Sequence, residues 1–326
     1  MKNTNLYCLF DEAIKRAGNR QFLLIPDGPA IGYNELDGQL GKYQSLLQAV
    51  GVNKGDRVMV QVEKSIEAVL VYLACLRLGA VYVPLNTAYT AAEVEYFISD
   101  AEPRLFICSD EQADAISHLD ITHVLTLSSD GKGTLIDRLQ GQDTATGIVH
   151  CDADDLAAIL YTSGTTGRSK GAMLSHQNLA SNAQVLHQFW HFEVGDVLLH
   201  ALPIFHVHGL FVALHCALLN GSTVHFLPRF DISQVLKLLP ESTVMMGVPT
   251  FYTRLLATPE FDRGVCKNMR LFIAGSAPLL AETHREFETS TGHRILERYG
   301  MTETGMIASN PYDGERLAGT VGYALP

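Results

Sequence analysis

The sequence predicts an α/β fold made of two packed α/β subdomains, each with a mainly parallel sheet covered by helices. Three observations lead there. Short apolar runs alternate with helical apolar spacing along most of the chain, a glycine- and hydroxyl-rich loop follows one such run at residues 161–171, and a polar stretch at 128–150 interrupts the alternation. Strand–helix–strand repeats join parallel strands, whose helices then cover both faces of the sheet.

Taken in order, residues 57–62 form an apolar run of strand length, and Ile66, Val69, Leu70 and Leu73 recur at helical spacing. Gly79 can take the left-handed conformation that ends a helix, and residues 80–85 return to a strand pattern. Thr90 and Glu93 have capping-box spacing and open the next helix, ahead of a strand at 104–108. Further strands are expected at 156–160, 196–200, 223–227, 243–247, 269–274 and 293–297, with helices at 175–190, 207–219, 231–239 and 279–290. The segment 128–150, rich in Gly, Asp and Thr, is the expected boundary, dividing the chain into 1–150 and 151–326.

Composition narrows the function classes. The 326 residues carry 35 acidic and 24 basic side chains, a formal charge of −11, which argues against a general nucleic-acid surface and for a soluble enzyme of small molecules. Cysteines 8, 75, 108, 151, 216 and 266 form no CxxC pair and mostly sit in apolar stretches, the pattern of buried free thiols in a reducing, cytoplasmic compartment. The N-terminus shows neither a signal-peptide core nor an Arg-rich presequence. The apolar stretch 197–219 has the length of a membrane span, but His200, Pro203, His206, His208 and His215 interrupt it, so it is expected to be core and no membrane partner is expected.

The loop Tyr161-Thr162-Ser163-Gly164-Thr165-Thr166-Gly167-Arg168-Ser169-Lys170-Gly171 combines glycines that let main-chain N–H groups approach an anion, four hydroxyls at 162, 163, 165 and 166, and a lysine. Those are the parts of a polyphosphate site. The spacing differs from G-x-x-x-x-G-K-[ST], since two residues separate Gly164 from Gly167 and Gly171 follows the lysine. The expected order is strand, loop, helix, with Ser175 at the helix start.

This loop resembles the signature of the adenylate-forming superfamily of acyl-CoA synthetases, luciferases and peptide-synthetase adenylation domains. Four more segments resemble its core motifs in the same order: Ile31-Gly32-Tyr33-Asn34-Glu35-Leu36, residues 78–86, Gly275-Ser276-Ala277-Pro278-Leu279 and Tyr299-Gly300-Met301-Thr302-Glu303. Within it, residues 201–210, Thr283-His284-Arg285-Glu286 and residues 309–316 are most like the malonyl-CoA synthetase subfamily. The resemblance implies ATP and Mg²⁺ as cofactors, CoA as co-substrate, and malonate activated through malonyl-AMP. It also implies a small mobile C-terminal domain beyond the region of residues 319–322; the chain stops at Pro326, so that domain, with its catalytic lysine, is expected to be absent and activity impaired. An acyl-CoA synthetase for another small acid such as methylmalonate, and a non-catalytic nucleotide-binding remnant, stay open.

Attack of a carboxylate on the α-phosphorus brings an anion to a polyanion, so the site must supply positive charge and oriented donors. By the resemblance, Thr162, Ser163, Gly164, Thr165, Thr166, Gly167 and Lys170 hold the β- and γ-phosphates, with Arg168 neutralising phosphate or the incoming acid. Gly275, Ser276 and Ala277 form the adenine shelf, Tyr299 stacks on the base, and Glu297, Arg298 and Gly300 complete the nucleotide site. Thr302 bonds the α-phosphate and Glu303 holds Mg²⁺, a hard cation suited to one carboxylate plus phosphate oxygens. The second carboxylate of malonate must meet a cation, for which Arg285 and Arg254 are the candidates, with His206 adding a donor or positive charge. His206-Val207-His208 is a weak zinc signal without a suitably spaced third ligand, so no metal other than Mg²⁺ is expected.

Overall fold

The computed structural model describes residues 2–162 and 168–326. The chain forms two compact units, one of Met1–Glu12 and Glu35–Ala180, the other of Ala13–Asn34 and Ser181–Pro326. A cut at 150 therefore separates residues that fold together, because the strands Leu156–Thr162 and Lys170–Ser175 complete the first unit's sheet. Residues 13–34 belong to the second unit, where Gln21–Leu24 pairs in parallel with Thr223–Phe226.

The first unit has a six-stranded sheet in the order Val124–Thr126, Leu105–Cys108, Arg57–Gln61, Val81–Pro84, Leu156–Thr162, Lys170–Ser175. All neighbours are parallel except the last two, which form an antiparallel pair with Thr162 opposite Lys170. The strand Lys170–Ser175 was not anticipated. Its exposed edge position, with a buried end only at Leu174 and Ser175, removes the alternation that would have marked it.

The helix Ile66–Leu78 is buried along its length. Ser65 caps its start by accepting from the Ala68 N–H at 3.2 Å, and Gly79 ends it at φ +72°. A β-carbon at Gly79 would lie 2.8 Å from Cys151 Sγ, so both the angle and the packing demand glycine. Thr90 and Glu93 form the expected capping box at the helix Ala91–Ala101. Residues 128–150, expected as a boundary, instead carry the helix Thr134–Leu139 inside this unit.

The second unit has nine strands in the order Tyr323–Ala324, Gly305–Ser309, Leu296–Met301, Leu271–Ala274, Val244–Gly247, Val197–His200, Thr223–Phe226, Gln21–Leu24, Ala30–Gly32. The six from Leu296–Met301 to Gln21–Leu24 are parallel, and the sheet is closed at both edges by antiparallel strands. The expected strand at 293–297 runs later, because its second half pairs with Gly305–Ser309 as a hairpin. The expected helix at 207–219 is a π-helix, His208–Leu214, continuing as the α-helix His215–Asn220. Phe272, Phe287 and Tyr252 pack edge to face in the core, with Phe272 and Phe287 centroids 4.9 Å apart.

Cys8 is half-buried and the other cysteines are buried, all as free thiols. Among the described residues no helix is long and apolar enough to cross a membrane.

One polar contact in each unit bears on its stability. In the second, Asp196 is almost fully buried and accepts from Arg270 Nε at 2.7 Å and from Arg270 Nη2, from Thr243 Oγ1 at 2.8 Å and from the Glu193 N–H at 2.7 Å. Asp196→Ala leaves the Arg270 guanidinium without its carboxylate and is expected to cost about 3 kcal/mol in urea unfolding. In the first, the Leu6 N–H donates to Nδ1 of buried His176 at 3.1 Å, and burial lowers this imidazole to about 4. Below about pH 6.5 the unfolded chain takes up a proton that the folded state refuses until about pH 4, so stability falls as the pH drops through that window, by about 3 kcal/mol from this residue. His176→Asn keeps an acceptor for Leu6 and should flatten that part of the pH dependence of the unfolding midpoint.

Candidate active site

Four neighbouring parallel strands of the second unit, Val197–His200, Val244–Gly247, Leu271–Ala274 and Leu296–Met301, point their carboxyl ends the same way. The residues that follow or end them enclose a cavity of about 390 Å³, bordered by Pro203, His206, Val248, Ser276, Arg298 and Thr302 among others. Ligand sites in open α/β sheets lie at such strand ends. Strand alternation puts Arg298 and Gly300 on the cavity side, while Glu297 turns the other way to accept from the Leu279 N–H at 3.0 Å. A register shift between Tyr299 and Gly300 re-aims the strand end, so that Met301 as well as Thr302 borders the space.

Arg298 dominates the electrostatics. It is 3% exposed, and its Nε and Nη2 make no hydrogen bond among the described residues. Burial lowers the guanidinium to about 10, which leaves it charged at neutral pH. A β-carbon at Gly275 would lie 2.4 Å from Arg298 Cζ, so glycine there makes room for the guanidinium. The strand is pinned from behind: the Asn310 N–H and Nδ2 both donate to the Glu297 carbonyl, at 3.0 and 3.1 Å, and Trp190 Nε1 donates to Ser309 Oγ at 2.9 Å.

Two histidines face this charge. His208, at the start of the π-helix, lies with Nδ1 3.2 Å from Ser276 Oγ, and its buried Nε2 has no partner among the described residues. Burial, followed by the positive charge of Arg298, holds His208 well below the usual imidazole range, so it is neutral. His206 is also lowered by burial. It is therefore a neutral donor or acceptor at neutral pH, and the positive charge envisaged for it falls to Arg298. His200 Nε2 lies 2.9 Å from the Gly209 carbonyl and must donate to it. Gly209 itself is close-packed, since a β-carbon there would lie 2.0 Å from the Pro203 carbonyl oxygen. The π-turn, a geometry found often at functional sites, carries His208 to the cavity wall. Ser276 is a non-glycine residue at φ +69°, a costly conformation at the cavity edge.

The structure thus brings His206, Ser276, Arg298, Gly300 and Thr302 together around one cavity. It does not bring Arg254 or Arg285 there. Both are exposed, Arg254 over the Phe230 ring at 4.7 Å and Arg285 on the outer face of the helix Ala281–Thr291. The buried cation that borders this cavity is Arg298, expected only as a nucleotide contact. His208 was missed as a site residue. The sequence signal was its place two residues after His206, but spacing cannot show that Ser276, 68 residues on, meets it.

Gly275 is buried, Ala277 is exposed after its strand, and Tyr299 is 45% exposed on the hairpin. Burial raises the Glu297 carboxyl. Glu303 is exposed in the hairpin turn beside Thr302, and among the described residues no group of three or more His, Cys, Asp or Glu could hold a metal. A single accessible carboxylate fits Mg²⁺, which is held largely by substrate phosphates and water. In the first unit, Lys170 and Arg168 are exposed and Thr162 is half-buried; Ser163, Gly164, Thr165, Thr166 and Gly167 lie outside the described residues.

Known proteins resemble this chain in sequence and in fold. The family model for AMP-binding enzymes matches residues 10–326. Mitochondrial malonate–CoA ligase of Mus musculus is 35% identical over 326 residues, covering 90% of this chain and 54% of that protein. The crystal structure of ATP-bound MatB from Rhodopseudomonas palustris superposes with a TM-score of 0.96 at 51% identity, covering all of this chain and 65% of that one. A malonyl-CoA ligase in a ternary product complex with methylmalonyl-CoA and AMP superposes with a TM-score of 0.79 at 32% identity, covering 95% of this chain and 64% of that one. The chain spans about half the length of the curated relatives it matches. With the family match running through both compact units, and with the fold of the superposed ligases, this chain belongs to the AMP-binding enzymes.

Proposed function

We propose that the chain is the nucleotide- and acid-binding portion of a malonate–CoA ligase, which joins malonate to CoA at the expense of ATP through malonyl-AMP. The observation that carries this is Arg298, a buried, charged guanidinium on the cavity wall, two of whose nitrogens have no hydrogen-bond partner among the described residues. Leaving such a charge unpaired costs several kcal/mol, so the site is built for an anionic ligand group. A monocarboxylic acid spends its only carboxylate on the α-phosphorus. A dicarboxylate has a second one, and a guanidinium can hold it side-on by donating two parallel hydrogen bonds.

The remaining residues follow from that placement. Ser276 and the neutral His208 add uncharged polar groups beside Arg298, and apolar Pro203, Val248 and Met306 limit the acid to a short chain. Thr302 is assigned to the α-phosphate, and Glu303 to Mg²⁺, which when bound would neutralise charge on the phosphates. Roles for Thr162, Arg168 and Lys170 at the β- and γ-phosphates rest on the motif. Methylmalonate is the second reading, because one similar ligase is described with methylmalonyl-CoA bound. Cytoplasmic residence belongs to the same proposal and is supported by the free thiols.

Malonate-dependent ATP–pyrophosphate exchange tests the proposal. Arg298→Ala is expected to lower kcat/KM for malonate by about 100-fold, the scale of a lost charge-assisted contact, while ATP affinity changes less than about twofold. Arg285→Ala and Arg254→Ala should stay within about twofold of the wild type. An Arg298→Ala protein with unchanged malonate dependence would remove Arg298 from the acid pocket. Exchange supported equally by acetate and malonate would refute a dicarboxylate site.

A further inference from the structure

Within the first unit, one helix holds both ends of the glycine-rich loop. The helix Ala91–Ala101 carries Tyr96 and Asp100 one turn apart, hence on one face. Before the loop, Tyr161 Oη donates to Asp100 Oδ2 at 2.7 Å. After it, Tyr96 Oη donates to the Ser169 carbonyl at 2.8 Å, and the Arg168 guanidinium lies 5.6 Å from the centroid of the Tyr96 ring. The pairing of Thr162 with Lys170 and of Tyr161 with Gly171 brings these ends side by side.

The contacts rest on an aromatic floor. Phe97 lies against Tyr161 with centroids 4.2 Å apart, and Tyr96 meets Tyr161 edge-on at 6.4 Å. Gly171 keeps the strand clear of this layer, since a β-carbon there would lie 2.8 Å from Ile159 Cγ2 and 3.6 Å from the Tyr161 ring. Arg168 is exposed and would otherwise sample many rotamers; an aromatic face is the surface on which a guanidinium settles.

We propose that Tyr96 is a positioning residue for nucleotide binding: its ring orients Arg168 and its hydroxyl fixes the backbone at Ser169, while Asp100 fixes the opposite end through Tyr161. This rests on the reading that the loop holds the triphosphate. Tyr96 acts through Arg168 and Ser169 and is not assigned a contact with ATP.

A double-mutant cycle on ATP affinity, measured by titration calorimetry on this chain, separates positioning from general support of the fold. Tyr96→Leu is expected to weaken ATP binding about tenfold when Arg168 is present and only about threefold, the share of the lost hydroxyl, in an Arg168→Ala background. Tyr96→Phe, which keeps the ring and loses the hydroxyl, should weaken it by about threefold. If Tyr96→Leu does not fold, Tyr96→Phe with Tyr96→Trp completes the series, the larger ring retaining affinity better than any non-aromatic residue. Equal weakening in both backgrounds overturns the positioning role and leaves the triphosphate reading standing. No ATP binding by the wild-type chain overturns that reading and the role of Tyr96 with it.

Discussion

A guanidinium buried at the end of a parallel strand, with two nitrogens unpartnered among the described residues, constrains the whole neighbourhood of the second unit's cavity. Gly275 must lack a side chain so that Arg298 can occupy its position. His208 must remain neutral, since a second positive charge in the same buried space would repel the first. The strand itself cannot drift, because Asn310 holds the Glu297 carbonyl through two donors and reaches the Thr320 carbonyl at 2.7 Å. Segments most like the malonyl-CoA synthetases, such as residues 309–316, thus act in part as a buttress. Arg316 donates to the carbonyls of Arg294, Pro311 and Tyr312, and touches the cavity only through the strand it helps to hold.

The first unit meets a different demand. A loop sequence rich in glycines and hydroxyls offers little apolar surface to bury. Its ends must therefore be held from outside. The aromatic layer of Tyr96, Phe97 and Tyr161 supplies apolar burial close to the loop, and each tyrosine hydroxyl bonds the helix Ala91–Ala101 to one end of the loop. Burial and the bond to Asp100 both raise the Tyr161 hydroxyl, so it remains a donor throughout the accessible pH range.

Much of this was legible in the chain. The helix stop at Gly79, the capping box at Thr90 and the apolar runs of the inner strands are local signals, and local sterics and hydrogen bonding realise them at the expected places. Strands at or near the sheet edges were harder. Lys170–Ser175 is only partly buried and Gly305–Ser309 forms a hairpin with a strand whose start was expected three residues earlier, so neither shows a clean period. The expected boundary at 128–150 failed because a polar composition marks surface, and a surface helix such as Thr134–Leu139 has the same composition as a linker.

The sequence by itself determined the α/β class, the alternation of the inner strands with their helices, the family resemblance and the residues able to meet a phosphate or a carboxylate, because propensity, capping and motif spacing act over a few residues. Only the tertiary structure decided which cation faces the cavity. Arg254, Arg285 and Arg298 are chemically alike in a sequence, and what separates them is burial, a product of contacts between residues distant in the chain. The pairing of His208 with Ser276, the reach of residues 13–34 into the second sheet and the clamp of Tyr96 and Asp100 on the loop ends are decided in the same way. A charge becomes a binding group when packing removes its water and supplies nothing in return.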